Sequence, residues 1–236
     1  MGIEGGYLNT YVVATIKDWN IRNFHKLAGE IKADWHLITN REDLTFAKIM
    51  PLNPKYIFFP HWSWIIPEKV YTNFECVVFH MTDLPFGRGG SPLQNLVVRE
   101  MNVTKISAIK VTEKLDSGPI YLKRNLCLQG SAEEIYIRAS VITFDMIRHI
   151  VNRVPTPVKQ VGKPVFFKRR TPAESKIPDV HDLNKIFDWI RMLDAEGYPN
   201  AFIETDNLRL EFSRATLKNG NIVADTKITL RKEKGE

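Results

Sequence analysis

Cysteine is scarce in this chain. Cys76 and Cys127 are the only two in 236 residues. Two thiols cannot build a disulfide framework, and no Cys-x-x-Cys or Cys/His spacing typical of a metal site occurs. Both are expected to be reduced, buried thiols in a cytoplasmic protein. Long apolar runs are missing too. Nothing approaches the roughly 18 residues of a membrane span. Met1 to Thr10 lacks the basic region and apolar stretch of a secretory signal. Neither phosphate-binding glycine pattern, GxxxxGK[ST] or GxGxxG, is present. With 44% hydrophobic and 25% charged residues, the chain has the composition of a soluble globular protein rather than of a disordered, collagenous or coiled-coil one.

Acidic residues are absent from one stretch. Between Met146 and Ala173 stand Arg148, Arg153, Lys159, Lys163, Lys168, Arg169 and Arg170, with no Asp or Glu, and this segment alone can account for the whole chain's formal net charge of +6. Such a run fits either an anionic partner (a phosphorylated small molecule, nucleic acid or a membrane surface) or a solvated face.

The apolar pattern alternates between short β-branched or aromatic runs and helical spacing. Strands are expected at Tyr11–Thr15, Trp35–Thr39, Tyr56–Phe59, Cys76–Phe79, Lys105–Thr112 and Ile120–Leu126. Asn20 is expected to cap a helix carrying Phe24, Leu27 and Ile31, and a second helix is expected from Glu42 to Ile49. Ser131 and Glu134 form a capping box at the head of a long helix that Pro155 and Pro157 end. Strands alternating with helices predict an α/β fold, a Rossmann-like, mostly parallel sheet flanked by helices. The proline-containing stretch Val154 to Lys163 divides it, as residues 1–154, from a small α+β region, 155–236. In the latter, a strand (Val165–Lys168), a helix (Asp182 to about Leu193) and an Asn219-Gly220-Asn221 hairpin turn are expected.

The residues suited to chemistry cluster after the fourth strand. His80 stands at a strand's carboxyl end, where open α/β sheets build their sites. A loop with Gly87, Gly89 and Gly90 follows, then Ser91-Pro92, read as N-cap and first residue of a helix. Glycine there lets backbone amides approach a ligand, and a helix start favours an anion. Thirty-six residues beyond His80, Leu115-Asp116-Ser117-Gly118-Pro119 joins two strands. Alone it is a turn. Beside an imidazole, its carboxylate makes a general acid/base pair that needs no metal and no nucleophile.

The two segments, His80-Met-Thr-Asp-Leu84-Pro85-Phe-Gly-Arg88-Gly89-Gly-Ser-Pro92 and Leu115-Asp116-Ser-Gly118-Pro119, resemble those of the folate-dependent formyltransferases. Phe167-Lys-Arg-Arg170-Thr-Pro172-Ala-Glu-Ser175 and Ile190-Arg-Met-Leu-Asp194 resemble the region beyond the catalytic core in the tRNA and sugar branches. The resemblance implies transfer of a formyl group from N10-formyltetrahydrofolate, without a metal, to a primary amine. It implies that His80 stabilises the oxyanion or relays a proton, and that Asp116 orients it or accepts the amine proton. Ser63, Trp64, Ile65, Ile66, Val111 and Asp116 are the implied folate residues. Arg88, Gly89, Gly90, Ser91, Lys168, Arg169 and Arg170 are the implied substrate residues. One position departs from the family: Val78 stands where an oxyanion-binding asparagine is usual, and His61, Ser63 and a loop amide are the candidate replacements.

Among acceptors, the short tail and the basic cluster favour a nucleotide-linked amino sugar, most like a UDP-4-amino-4,6-dideoxy sugar of the pseudaminic acid type, with a homodimeric enzyme and no nucleic-acid partner. The alternatives are a methionyl-tRNA formyltransferase-like enzyme, a non-catalytic nucleic-acid-binding protein using the basic stretch, and a degenerate formyltransferase that binds ligand without turnover.

Overall fold

The computed structural model describes residues 8–231. A tail expected at Lys232–Glu236, and most of the N-terminal segment searched for a leader, lie outside the described residues. The chain folds as two compact units, each gathered from three stretches. One comprises the chain up to Arg88 with Lys105–Leu126 and Ile137–Phe166, the other Gly89–Thr104 with Cys127–Tyr136 and the chain from Phe167.

The first unit is built on strands β1 (Thr10–Ala14), β2 (Asp34–Ile38), β3 (Tyr56–Phe59) and β4 (Cys76–His80), followed by the two-residue β5 (Arg88–Gly89), β6 (Val103–Lys110) and β7 (Ile120–Cys127). The six longer strands form one sheet in the order β2-β1-β3-β4-β6-β7. β1 runs parallel to β2 and β3, and β3 parallel to β4, whereas β6 is antiparallel to β4. The central runs are continuously apolar because both faces of such a sheet are covered: Tyr11, Val12, Val13 and Ala14, and all four residues of β3, are buried.

Helix α1 (Asp18–Glu30) turns Trp19, Phe24 and Leu27 inward. Asn20 does not cap it. Lys17 occupies the cap position, and the buried Asn20 carboxamide donates instead to Thr15 Oγ1 and the Pro60 carbonyl. The helix expected over Glu42–Ile49 is broken into a 3-10 turn at Arg41–Asp43 and a short α2 (Phe46–Ile49), because Thr45 is extended and caps the second piece. α3 (Glu68–Tyr71) precedes β4. Of the two thiols, Cys76 is buried but Cys127, at the end of β7, is exposed, contrary to the expectation for both.

The second unit contains α4 (Pro92–Val97), the first turn of α5 (Ala132–Arg153), α6 (Leu183–Arg191) and strands β9 (Ala201–Glu204), β10 (Leu208–Lys218) and β11 (Asn221–Leu230), which form an antiparallel sheet. The Ser131/Glu134 capping box is formed in both directions. Asp182 caps α6 through the Asn184 amide. Asn219 and Gly220 both take positive φ, 51° and 72°, which a two-residue turn between right-twisted strands requires. A two-residue β8 (Phe166–Phe167) lies against β5.

Candidate active site

His80 ends β4 at the carboxyl edge of the parallel strands and is only 8% exposed. Its two ring nitrogens face two different oxygens. Nε2 lies 2.7 Å from the Gly87 carbonyl. Since a carbonyl can only accept, Nε2 carries hydrogen and donates. Nδ1 lies 3.6 Å from Asp116 Oδ2. That is longer than a formed hydrogen bond, but proton-transfer contacts in ligand-free sites are often long. The two side chains are similarly enclosed, 9% and 10% exposed. The pair expected from two distant motifs is therefore assembled inside the first unit.

Local geometry explains how. Gly87 takes φ of 77°, turning its carbonyl back on His80. Its amide and that of Arg88 donate to the Val165 carbonyl at 3.0 and 2.9 Å. Beneath the loop, Ser107 on β6 donates to the Thr82 carbonyl at 2.7 Å. Asp116 sits in the β6–β7 connection with φ of 50°. Gly118 is fixed by crowding: a β-carbon there would overlap the Lys110 carbonyl oxygen, while the Lys110 amide donates to Pro119 at 2.9 Å.

Cys76, Val78 and His80 alternate onto one face of β4. Val78 packs, with Trp62 and Val111, against a buried cluster that includes Ile66, Phe59 and Cys76. The position where the family has asparagine is thus part of an apolar wall on the imidazole's side of the strand. Trp62 Nε1 is buried there with no hydrogen-bond partner among the described residues. In the loop expected to line a folate pocket, Ile66 is buried and Trp62 half-buried, but Ser63, Trp64 and Ile65 face solvent, Ile65 at 84% exposure. His61, a candidate oxyanion donor, has its pKa held down at about 4 by burial, with the charge of Lys17 adding to it; at neutral pH the ring is uncharged.

The expected substrate residues fall into different settings. The Arg88 guanidinium forks onto Gln160 Oε1 at 3.1 and 2.7 Å. A β-carbon on Gly89 would overlap the Phe167 carbonyl, and one on Gly90 would overlap Arg169. These glycines thus admit a neighbouring backbone, which the sequence pattern alone could not distinguish from a ligand cradle. Ser91 is in the left-handed region (φ 49°) and makes no side-chain cap; its hydroxyl accepts from the Arg170 amide at 3.0 Å. Lys168 and Arg169 are exposed. Arg170 is not a solvated cation: it lies over the Trp189 ring, donates to the Glu174 carbonyl, and burial lowers its pKa. Gln160, hidden in the proline-containing stretch, is the site-adjacent residue that sequence reasoning missed. No group of three or more potential metal ligands occurs among the described residues, and no described helix is long and apolar enough to cross a membrane.

Comparison with known proteins identifies the class. Residues 172–229 match the family described as the methionyl-tRNA formyltransferase C-terminal domain. A solved structure of methionyl-tRNA formyltransferase from Clostridium thermocellum is 55% identical, with a TM-score of 0.93; the match covers 95% of this chain and 100% of that one. The methionyl-tRNA formyltransferase of Thermodesulfovibrio yellowstonii is 23% identical over 189 residues, covering 77% of this chain and 61% of its own length. The chain thus spans about three fifths of the curated relatives it matches. HypX from Aquifex aeolicus, solved in complex with tetrahydrofolic acid, shares the fold at 12% identity and a TM-score of 0.72, over 89% of this chain and 38% of that one. The chain belongs to the formyltransferase family. Within that family its relative at 55% identity is a methionyl-tRNA formyltransferase.

This overturns two expectations. The nucleotide-linked amino sugar is not the acceptor to which the similarity points, and the expectation of no nucleic-acid partner conflicts with relatives named for methionyl-tRNA. The amino-sugar expectation rested on the short tail and the basic cluster, yet the Clostridium thermocellum methionyl-tRNA formyltransferase chain is matched over its whole length by this one.

Proposed function

We propose that this chain is an N-formyltransferase that moves a formyl group from N10-formyltetrahydrofolate to the α-amine of methionyl-tRNA. The observation that carries the reading is the enclosed His80–Asp116 pair in a chain 55% identical to a methionyl-tRNA formyltransferase. Folate as donor is supported by HypX, which binds tetrahydrofolic acid on this fold.

The residues present suit a pterin. The wall of Trp62, Ile66, Val78 and Val111 is apolar, and the unpartnered Trp62 indole N–H inside it offers a donor to a heteroatom; a buried donor left unmatched costs on the order of 1–3 kcal/mol. When bound, the folate supplies an activated formyl carbon. The chain's own residues do the rest. An amine attacks only when unprotonated, and Asp116 is placed to take the proton it loses. His80 Nδ1, 3.6 Å away, can share or relay that proton. The ring's Nε2–H is committed to the Gly87 carbonyl, which fixes the imidazole with Nδ1 turned to the carboxylate. Lys168 and Arg169, both exposed, suit a phosphodiester backbone.

Incubating the protein with methionyl-tRNA and radiolabelled N10-formyltetrahydrofolate tests this. Label is expected in formyl-methionyl-tRNA. Label that stays in folate while a control formyltransferase turns over overturns the reading.

A further inference from the structure

Gln160 touches both halves of the site described above. Its Nε2 donates to the carbonyl oxygens of Asp116 and Gly118, each at 2.8 Å. Its Oε1 accepts two bonds from Arg88, Nε at 3.1 Å and Nη2 at 2.7 Å. All four residues belong to the first unit. One carboxamide thus uses both of its donor hydrogens on the loop that carries Asp116 and both acceptor directions on the residue that follows Gly87, whose carbonyl holds His80 Nε2. The side chain makes every hydrogen bond available to it.

We propose that Gln160 is a positioning residue for the His80–Asp116 pair. This rests on the formyltransferase reading. Asp116 is held with φ of 50°, in the sparsely populated left-handed region, which persists only where surrounding bonds over-determine it. Gln160 supplies two of those bonds, one of them to the Asp116 carbonyl itself. At its other end it fixes Arg88, whose amide is hydrogen-bonded in the same turn that aims Gly87 at His80. Both partners of the 3.6 Å contact are therefore referred to one amide plane.

No other residue type reproduces this pattern. Glutamate keeps the acceptors and has no hydrogens for the two carbonyls. Lysine keeps donors and loses the acceptor for Arg88. Alanine loses both.

The experiment compares Gln160→Glu, Gln160→Ala, Asp116→Asn and the double variant Gln160→Glu/Asp116→Asn. Gln160→Glu is expected to lower kcat at least about 10-fold, as a misplaced catalytic group does, with the KM for folate within about 3-fold of the wild-type value. In the Asp116→Asn background the same change is expected to cost less than about 3-fold, since residues acting as a unit are non-additive. The 15N spectrum of the His80 ring, recorded without substrate, is expected to change in Gln160→Glu in the same direction as in Asp116→Asn. A wild-type kcat in Gln160→Glu, a full multiplicative loss in the double variant, or an unaltered His80 spectrum where Asp116→Asn alters it, overturns the proposal. Should wild-type protein transfer no formyl group, the formyltransferase reading falls, and the His80 spectra still decide the role of Gln160. Gln160→Ala serves the same readouts should Gln160→Glu fail to fold.

Discussion

Gly118 and the Lys110 carbonyl occupy one space: a β-carbon on residue 118 would overlap that oxygen. This crowding, rather than turn preference alone, accounts for glycine in the Leu115–Pro119 motif, and it sets the path of the loop bearing Asp116. Gly118→Ala is expected to lower stability by about 1–3 kcal/mol through overpacking. It should also cut turnover on the order of 100-fold, because Asp116 shifts from His80. Thermal unfolding and steady-state rates measured on one preparation check this; a variant with wild-type Tm and rate would separate the loop path from the glycine.

His61 makes stability depend on pH. Its pKa is about 4 in the folded chain against 6.5 ordinarily. Between those values the unfolded chain binds more protons, so folded stability is complete above about pH 6.5 and declines as pH falls toward 4, by at most about 3–4 kcal/mol. His61 has φ of 54°, which asparagine tolerates. His61→Asn is therefore expected to flatten the fall in Tm between pH 6.5 and 4. Parallel Tm curves for variant and wild type would remove burial of this ring as the cause.

Lys168 and Arg169 are exposed, whereas Arg170 is engaged with Trp189 and Glu174. Replacing the first two by glutamate should raise the KM for methionyl-tRNA and leave the KM for folate unchanged. The salt dependence of tRNA binding should also fall by roughly 0.7–0.9 per contact removed. An unchanged salt slope would assign the pair to surface solvation. Arg170→Ala, in contrast, is expected to act mainly on stability, since the guanidinium packs over a ring.

The sheet was legible because its strands are apolar runs: Tyr56–Phe59 was read to the residue, and the Ser131/Glu134 box and the Asn219-Gly220 turn carry local hydrogen-bonding or φ signals that need no tertiary knowledge. Asn20 was misread because a buried carboxamide found partners in Thr15 and Pro60, which no local pattern reveals. The same holds for the glycines at 89 and 90, where the sequence shows room for something and not what fills it. His80 and Asp116 were recognisable as motifs. Gln160 was not, since its meaning lies in four bonds to residues 42 to 72 positions away. Tail length and the basic cluster do not identify the acceptor, since the features that favour a sugar substrate occur in a chain 55% identical to a methionyl-tRNA formyltransferase.

The central claim is that the enclosed His80–Asp116 pair carries formyl transfer to methionyl-tRNA. Single-turnover transfer from N10-formyltetrahydrofolate, with wild type, His80→Asn and Asp116→Asn compared at saturating substrates, measures it most directly. Each variant is expected to slow the transfer step at least about 100-fold, the scale of a lost acid/base or oxyanion group, while still binding folate. Transfer at the wild-type rate in either variant would contradict the account.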